Sequence, residues 1–260
     1  RSRQEEVVIM TGEAATVKLL TEDGKRLDGR ALSELRRCRI EAGVLKNADG
    51  SAYIELGRNK IIVAVYGPKE VHPRHEALPD RMLLRCRYSM LPFSVAEERK
   101  SPAPTRREVE ISKVIREALE PAIFLEEFPR TSVDVFIEVV EADGSTRVAS
   151  ITAAAVALAD AGIPMRDLVA GVSIGKIGGK LAVDLSGIED QRGEGDMPIA
   201  MMPRLGEVTL MQADGRFTRE EIAQALQMAR EAILKLYEEQ KRALKERYSK
   251  VPPVEPGEEA

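Results

Sequence analysis

Gly144-Ser145-Thr146-Arg147-Val148-Ala149-Ser150-Ile151-Thr152-Ala153-Ala154-Ala155-Val156-Ala157-Leu158-Ala159 reads as a helix without a continuous polar face. Ile151, Ala154, Ala155, Val156, Leu158 and Ala159 are spread around it, and a helix apolar on nearly every side must be buried. The stretch therefore predicts a helix over 146–161 enclosed between sheets. Strands are predicted on both sides of it. Alternating or continuous apolar runs occupy 44–56, 60–66, 82–90, 133–140, 169–176, 180–185 and 207–213. They are closed by turns such as Ala48-Asp49-Gly50, Ile177-Gly178-Gly179 and Ala213-Asp214-Gly215.

Two more helices carry start signals. Thr105-Arg106-Arg107-Glu108 is a capping-box pattern, and Ile111, Ile115, Ala118 and Leu119 follow at helical spacing over 106–119. A second box, Thr218-Arg219-Glu220-Glu221, opens a helix to about 248, with a stripe of Ile222, Leu226, Ala229, Ile233 and Tyr237. Strands followed by a helix, twice over, define an α+β chain with mixed sheets and a hint of internal duplication. Residues 1–23 read as an arm, 24–249 as the folded domain, and 250–260, with three prolines, as a disordered acidic tail.

The 260 residues are 43% hydrophobic, enough for a proper core. The net charge of −4 excludes a protein that coats nucleic acid through a broad basic face. Nucleic acid, if bound, must be gripped by a focused cationic site. Two cysteines are too few for a disulfide framework, so a cytoplasmic protein is expected. No run of about 18 apolar residues and no secretory h-region is visible. Phosphate-binding P-loop, dinucleotide and hydrolase-triad patterns are missing too.

The placement of arginine points to a function. Arg106 and Arg107 fall in a first helical turn, at the positive end of the macrodipole, where a cation is disfavoured by roughly 0.3–1 kcal/mol. Arg99 and Lys100 lie just upstream, and Gly144-Ser145-Thr146-Arg147 is a second helix start bearing a cation. Free backbone N–H groups and guanidinium forks at helix starts make phosphate sites. The plainer reading keeps Arg106 and Arg107 as solvated surface groups and makes Gly-Ser-Thr-Arg a cap alone. Downstream, Asp184, Glu189, Asp190, Glu194 and Asp196 cluster. Composition alone favours a solvated loop there. The functional reading is a pair, Asp190 and Asp196, presented by a glycine-bearing loop to hold Mg²⁺ or donate a proton. His72-Pro73-Arg74-His75 lacks the further ligands zinc requires and fits an exposed loop touching RNA backbone better.

Arg26-Leu27-Asp28-Gly29-Arg30, Leu45-Lys46-Asn47-Ala48-Asp49-Gly50-Ser51-Ala52, Tyr66-Gly67-Pro68, Arg106-Arg107-Glu108, Ala159-Asp160-Ala161-Gly162-Ile163-Pro164-Met165 and Gly195-Asp196-Met197-Pro198 together resemble RNase PH-type phosphorolytic exoribonucleases. Glu97-Glu98-Arg99-Lys100-Ser101-Pro102-Ala103-Pro104 is most similar to the archaeal exosome catalytic-subunit branch. The resemblance implies duplicated β-α units like the second domain of ribosomal protein S5, and a hexameric ring of three heterodimers with an inactive RNase PH-like paralogue. It also implies RNA-binding cap subunits and single-stranded RNA as substrate, with no DNA or membrane partner. By position, Arg106 and Arg107 would bind RNA phosphates near the 3′ end, with Arg99 and Lys100 nearby. Gly144, Ser145, Thr146 and Arg147 would hold inorganic phosphate as co-substrate. Asp190 and Asp196 would be the essential acids, with Mg²⁺ expected, and His72 and Arg74 would guide RNA at the ring's constriction. Many archaeal relatives have Ala-Gly-Ser-Arg where this chain has Gly144-Ser145-Thr146-Arg147; the hydroxyl survives in Thr146. The implied reaction is 3′-to-5′ degradation by phosphate attack, releasing nucleoside diphosphates and reversible to RNA tailing. A stand-alone RNase PH trimming tRNA ends and a non-catalytic, RNA-guiding ring subunit are the alternatives.

Overall fold

The computed structural model describes residues 19–21, 24–96 and 101–249. Nearly all of the N-terminal arm, the acidic tail, and both Arg99 and Lys100 lie outside the described residues. The chain begins with β1 (Cys38–Ala42), β2 (Gly50–Leu56), β3 (Asn59–Glu70), β4 (Leu83–Met90), α1 (Arg106–Leu119) and β5 (Thr131–Glu141). These strands form one sheet in the order β1-β2-β3-β5-β4, antiparallel except for the parallel pair β4–β5. After α2 (Thr146–Asp160) come β6 (Ala170–Ile177), β7 (Lys180–Val183), α3 (Gly187–Arg192), β8 (Gly195–Met202), β9 (Glu207–Met211), β10 (Asp214–Gly215) and α4 (Arg219–Ser249). The second sheet runs β10-β8-β6-β7, with β9 also paired to β8.

The apolar helix lies between the sheets, packed on β2 and β3 from one and on β6 and β8 from the other. All eleven residues from Val148 to Leu158 are buried. Alanine at five of these positions lets both sheets close on the helix backbone. At Gly50 the approach is so tight that a Cβ would sit 2.3 Å from the Ala157 carbonyl oxygen. Ile151 and Leu158 are fully buried, and truncating either to Ala should destabilise by about 2–5 kcal/mol. On the second sheet, α4 is locked in place by Gln240, whose buried side-chain amide donates to the carbonyls of Thr152 (2.8 Å) and Val169 (2.9 Å).

The three long helices begin and end within about a residue of their expected limits. The strands differ more. Residues 44–49 form a turn, so the first long strand starts at Gly50. β1 was not anticipated: it is a five-residue edge strand with one buried side chain, Ile40, too little pattern to read. The largest correction concerns the acidic stretch. Asp190 and Asp196 do not share a glycine-bearing loop; Asp190 lies on α3 and Asp196 on β8. α3 is short, but Ser186 and Glu189 form a capping box that could have revealed it. β8 is masked in the sequence by Pro198. That residue accepts from the Gln212 N–H, so its missing donor faces the edge between the β9 and β10 pairings, where the ladder is interrupted.

Candidate active site

One cavity of about 810 Å³ gathers residues from α1, α2, α3 and β8. Arg107, Gly144, Ser145, Thr146, Arg147, Asp190 and Asp196 all line it. Arg106 is exposed at the start of α1 and is not among the lining residues. His72 and Arg74 are exposed on a separate loop, where Arg74 pairs with Glu70 at 3.0 Å. The structure therefore unites the arginine, the Gly-Ser-Thr-Arg turn and the two acids, and leaves the histidine loop apart.

The start of α2 is open. Gly144 and Ser145 are both left-handed, at φ 72° and 59°. Ser145 is the N-cap residue, yet its side chain makes no capping bond; its hydroxyl instead donates to the Leu185 carbonyl at 2.9 Å. The first turn carries no acidic residue. The N–H groups of Thr146, Arg147 and Val148 are thus left without a side-chain cap at the positive end of the helix, which is the condition for an anion site. Gly144 is required twice over, since a Cβ there would meet the Ser186 carbonyl carbon at 2.7 Å.

The start of α1 is closed. Thr105 and Glu108 form a complete capping box, and the buried Glu108 carboxylate also accepts from Met90 N–H at 2.8 Å. Burial by itself would raise the Glu108 pKa, but hydrogen bonds from Met90 and Thr105 hold it below the usual range. The two helix starts thus differ: α1 carries a side-chain cap and α2 does not. At α1 the Glu108 N–H is already taken by Thr105, and the group from this helix start that reaches the cavity with a charge for an anion is the Arg107 guanidinium.

Several residues that the sequence did not single out set the geometry. The buried Tyr88 hydroxyl is 2.9 Å from Thr146 Oγ1 and fixes that side chain. Arg147 donates to Gln212 and lies 3.6 Å from Glu110, which holds its guanidinium over the cavity. Glu189, a member of the acidic cluster outside the Asp190–Asp196 pair, is a structural group: its carboxylate caps α3 through Ser186 and pairs with the fully buried Arg26. Burial acts against ionisation of Glu189, but Arg26 and Ser186 outweigh it and lower the pKa. α3 is thereby fixed, and the next residue, Asp190, projects into the cavity.

The two acids behave differently from Glu189. Burial raises the Asp190 pKa from its ordinary value, against the opposing pull of Arg107, Arg147 and Arg36, even though Asp190 stays exposed on its cavity side. Burial also raises Asp196, reinforced by the charges of Asp190 and Asp214. A carboxyl whose pKa is raised holds its proton more firmly than an ordinary one and is suited to donate it to a leaving group. The same pair fits a magnesium ion, which is commonly held by one or two carboxylates and completed by water and substrate phosphate. Among the described residues no group of three or more His, Cys, Asp and Glu gathers as a metal cluster.

Residues 34–164 match the 3′ exoribonuclease family, domain 1, and residues 167–232 match domain 2 of that family. This chain belongs to the 3′ exoribonuclease family. In particular it is similar to exosome complex component Rrp41 of Pyrococcus furiosus, at 60% identity over 235 residues, covering 90% of this chain and 94% of that protein. The Thermococcus gammatolerans Rrp41 is 57% identical over 250 residues, covering 96% of this chain and all of that one. Among solved structures, the Archaeoglobus fulgidus exosome with RNA bound to the active site has a chain at TM-score 0.70 and 25% identity, with 87% of this chain and 93% of that chain covered. Rice Rrp46 shares the fold at TM-score 0.74 and 24% identity, over 84% of this chain and all of its own.

Proposed function

We propose that this chain is the catalytic subunit of an exosome-like assembly, degrading single-stranded RNA from the 3′ end by phosphate attack. The observation that carries the reading is the shared cavity: the uncapped α2 start with Arg147, facing Arg107 and a pair of protonatable acids. Similarity to exosome components over more than nine-tenths of the chain supports the assembly and the RNA substrate.

In this scheme inorganic phosphate rests on the N–H groups at 146–148 and on Arg147. Arg107 binds the RNA phosphate near the 3′ end, with Arg106 at its rim. The two anions must approach each other, and two unit charges at about 4 Å repel by roughly 4 kcal/mol at an effective dielectric near 20. The arginines offset that repulsion and fix the line of attack. A phosphate oxygen forms a bond to the terminal phosphorus as the bond to the adjoining 3′-oxygen breaks. Asp190 or Asp196 gives the leaving oxygen its proton. The products are a nucleoside diphosphate and RNA one residue shorter. Magnesium, held by whichever of Asp190 and Asp196 is ionised, would supply further neutralisation of the phosphate charges. Exchange of a phosphodiester for a phosphoanhydride makes the reaction reversible, so excess nucleoside diphosphate should extend RNA. Contacts to phosphate carry no sequence information, so base identity should matter little.

The remaining parts of this reading are a hexameric ring with an inactive paralogue, RNA-binding cap subunits, His72 and Arg74 guiding the strand, Arg99 and Lys100 near the substrate, and a cytoplasmic location. Native mass spectrometry of the assembly tests the ring. The chemistry is tested by product analysis on RNA with and without phosphate in the partner-containing complex. Nucleoside diphosphates appearing only with phosphate support the reading; monophosphates mean hydrolysis and overturn it.

A further inference from the structure

The uncapped start of α2 depends on a turn that should not be stable alone. A non-glycine residue in the left-handed region is strained and persists only where its surroundings enforce it. Ser145, at φ 59°, is such a residue. The enforcing group stands behind the turn. Asn59, the first residue of β3, is fully buried and does not line the cavity, although its neighbours Arg58 and Lys60 do. Its side-chain oxygen accepts from the Asp143 N–H at 2.6 Å, and its side-chain nitrogen donates to the Gly144 carbonyl at 2.6 Å. Those backbone partners, one donor and one acceptor, settle the orientation of the amide.

Arg36 completes the clamp. Its guanidinium donates to the Asp143 carbonyl at 2.5 Å and reaches the Gly144 carbonyl at 3.4 Å. It is held in turn by the fully buried Asp184, at 2.9 Å and 2.7 Å. Both carbonyls that precede the helix are thereby drawn toward the protein interior. A carbonyl oxygen turned into the cavity would repel an anion; here the side facing the cavity is left to N–H groups.

We propose that Asn59 is a positioning residue for the phosphate co-substrate, acting through the backbone of Asp143 and Gly144 with Arg36 as its partner. No other common side chain of its length offers a donor and an acceptor side by side in one plane. This inference rests on the phosphorolytic reading above, so its test separates the two. In the partner-containing complex, the KM for inorganic phosphate, the KM for RNA and kcat are measured for wild type, Asn59→Ala and Asn59→Ser. The core variant Leu236→Ala, on α4, serves as a stability control. Displacing the turn by about an ångström should raise the phosphate KM ~10–100-fold in Asn59→Ala. Asn59→Ser, which keeps a hydroxyl for one of the two bonds, should fall between it and wild type. The RNA KM should stay within about twofold, and Leu236→Ala should leave the phosphate KM unchanged at a similar loss of Tm. A phosphate KM unmoved in both Asn59 variants overturns the proposal. Equal losses in RNA and phosphate binding, matched by Leu236→Ala, overturn it too. If Asn59→Ala does not fold, the serine variant alone decides. If wild type degrades RNA without phosphate, the phosphorolytic reading fails, and calorimetric binding of inorganic phosphate to wild type and Asn59→Ser still tests the clamp.

Discussion

The starts of α1 and α2 look alike in one dimension, since each places arginine in its first turn. In the folded chain they are opposites. At α1 the protein has already supplied an anion: the Glu108 carboxylate accepts from the Thr105 N–H, and the Thr105 hydroxyl accepts from the Glu108 N–H. At α2 no side chain does so, and the preceding carbonyls are drawn back by Asn59 and Arg36. A cation at a helix start is therefore not in itself evidence for a phosphate site. What separates the two is whether the helix start already carries a side-chain cap and a carboxylate of its own. One helix offers an arm, the other a seat.

The comparison can be broken in several places. The largest effect is expected from the acids both starts surround. Asp190→Asn should lower kcat for nucleoside diphosphate release ~10²–10⁴-fold, as for loss of a general acid. It should not destabilise the fold at neutral pH. A carboxyl whose folded pKa is raised adds stability only at low pH and loses it as pH rises through that value. Thermal shifts across pH should thus show the variant at least as stable as wild type at pH 7. A large drop in Tm at pH 7 would count against the assigned protonation.

Next comes the seat itself. Gly144→Ala forces a Cβ to 2.7 Å from the Ser186 backbone, so the turn must move. We expect the phosphate KM to rise ~10–100-fold with RNA binding nearly intact. Ser145→Asp is a subtler break, since it places a carboxylate at α2 in imitation of α1. It should raise the phosphate KM with little net gain in Tm, because the dipole gain of about 0.3–1 kcal/mol is offset by loss of the Ser145 hydroxyl's bond to the Leu185 carbonyl, which a carboxylate cannot make. Steady-state kinetics at varied phosphate, paired with thermal denaturation, reads both.

The arm should answer differently. Arg107→Ala should weaken RNA affinity and flatten its dependence on log salt by about 0.7. Because Arg107 heads the cations that lower the Asp190 pKa, its removal should also move the alkaline limb of the pH–rate profile upward. A change confined to phosphate KM would reverse the assignment of the two starts. Smallest of all, Glu108→Gln should destabilise by about 1 kcal/mol at neutral pH through weakened capping, with activity largely kept. The lowered Glu108 pKa means that this difference should shrink as pH falls through the carboxylate range.

Much of this molecule is legible from neighbours in the chain. The apolar girth of α2, the capping boxes of α1 and α4, and the stripe from Ile222 to Tyr237 are all patterns within one or two helical turns, because a helix selects its face every three or four residues. The arginines and the paired acids could be noticed for the same reason: they are local anomalies of charge. Partnership was not legible. Glu189 and Asp190 are adjacent and alike in sequence, yet one is spent on Arg26, 163 residues away, and the other faces the cavity. Asn59 carried no mark at all, because its value lies in two backbone atoms some 85 residues ahead. Periodicity and capping act over a few covalent bonds and are written in sequence. Which donor is left unsatisfied, and which acid keeps its proton, is decided only when distant segments close on one another and exclude water.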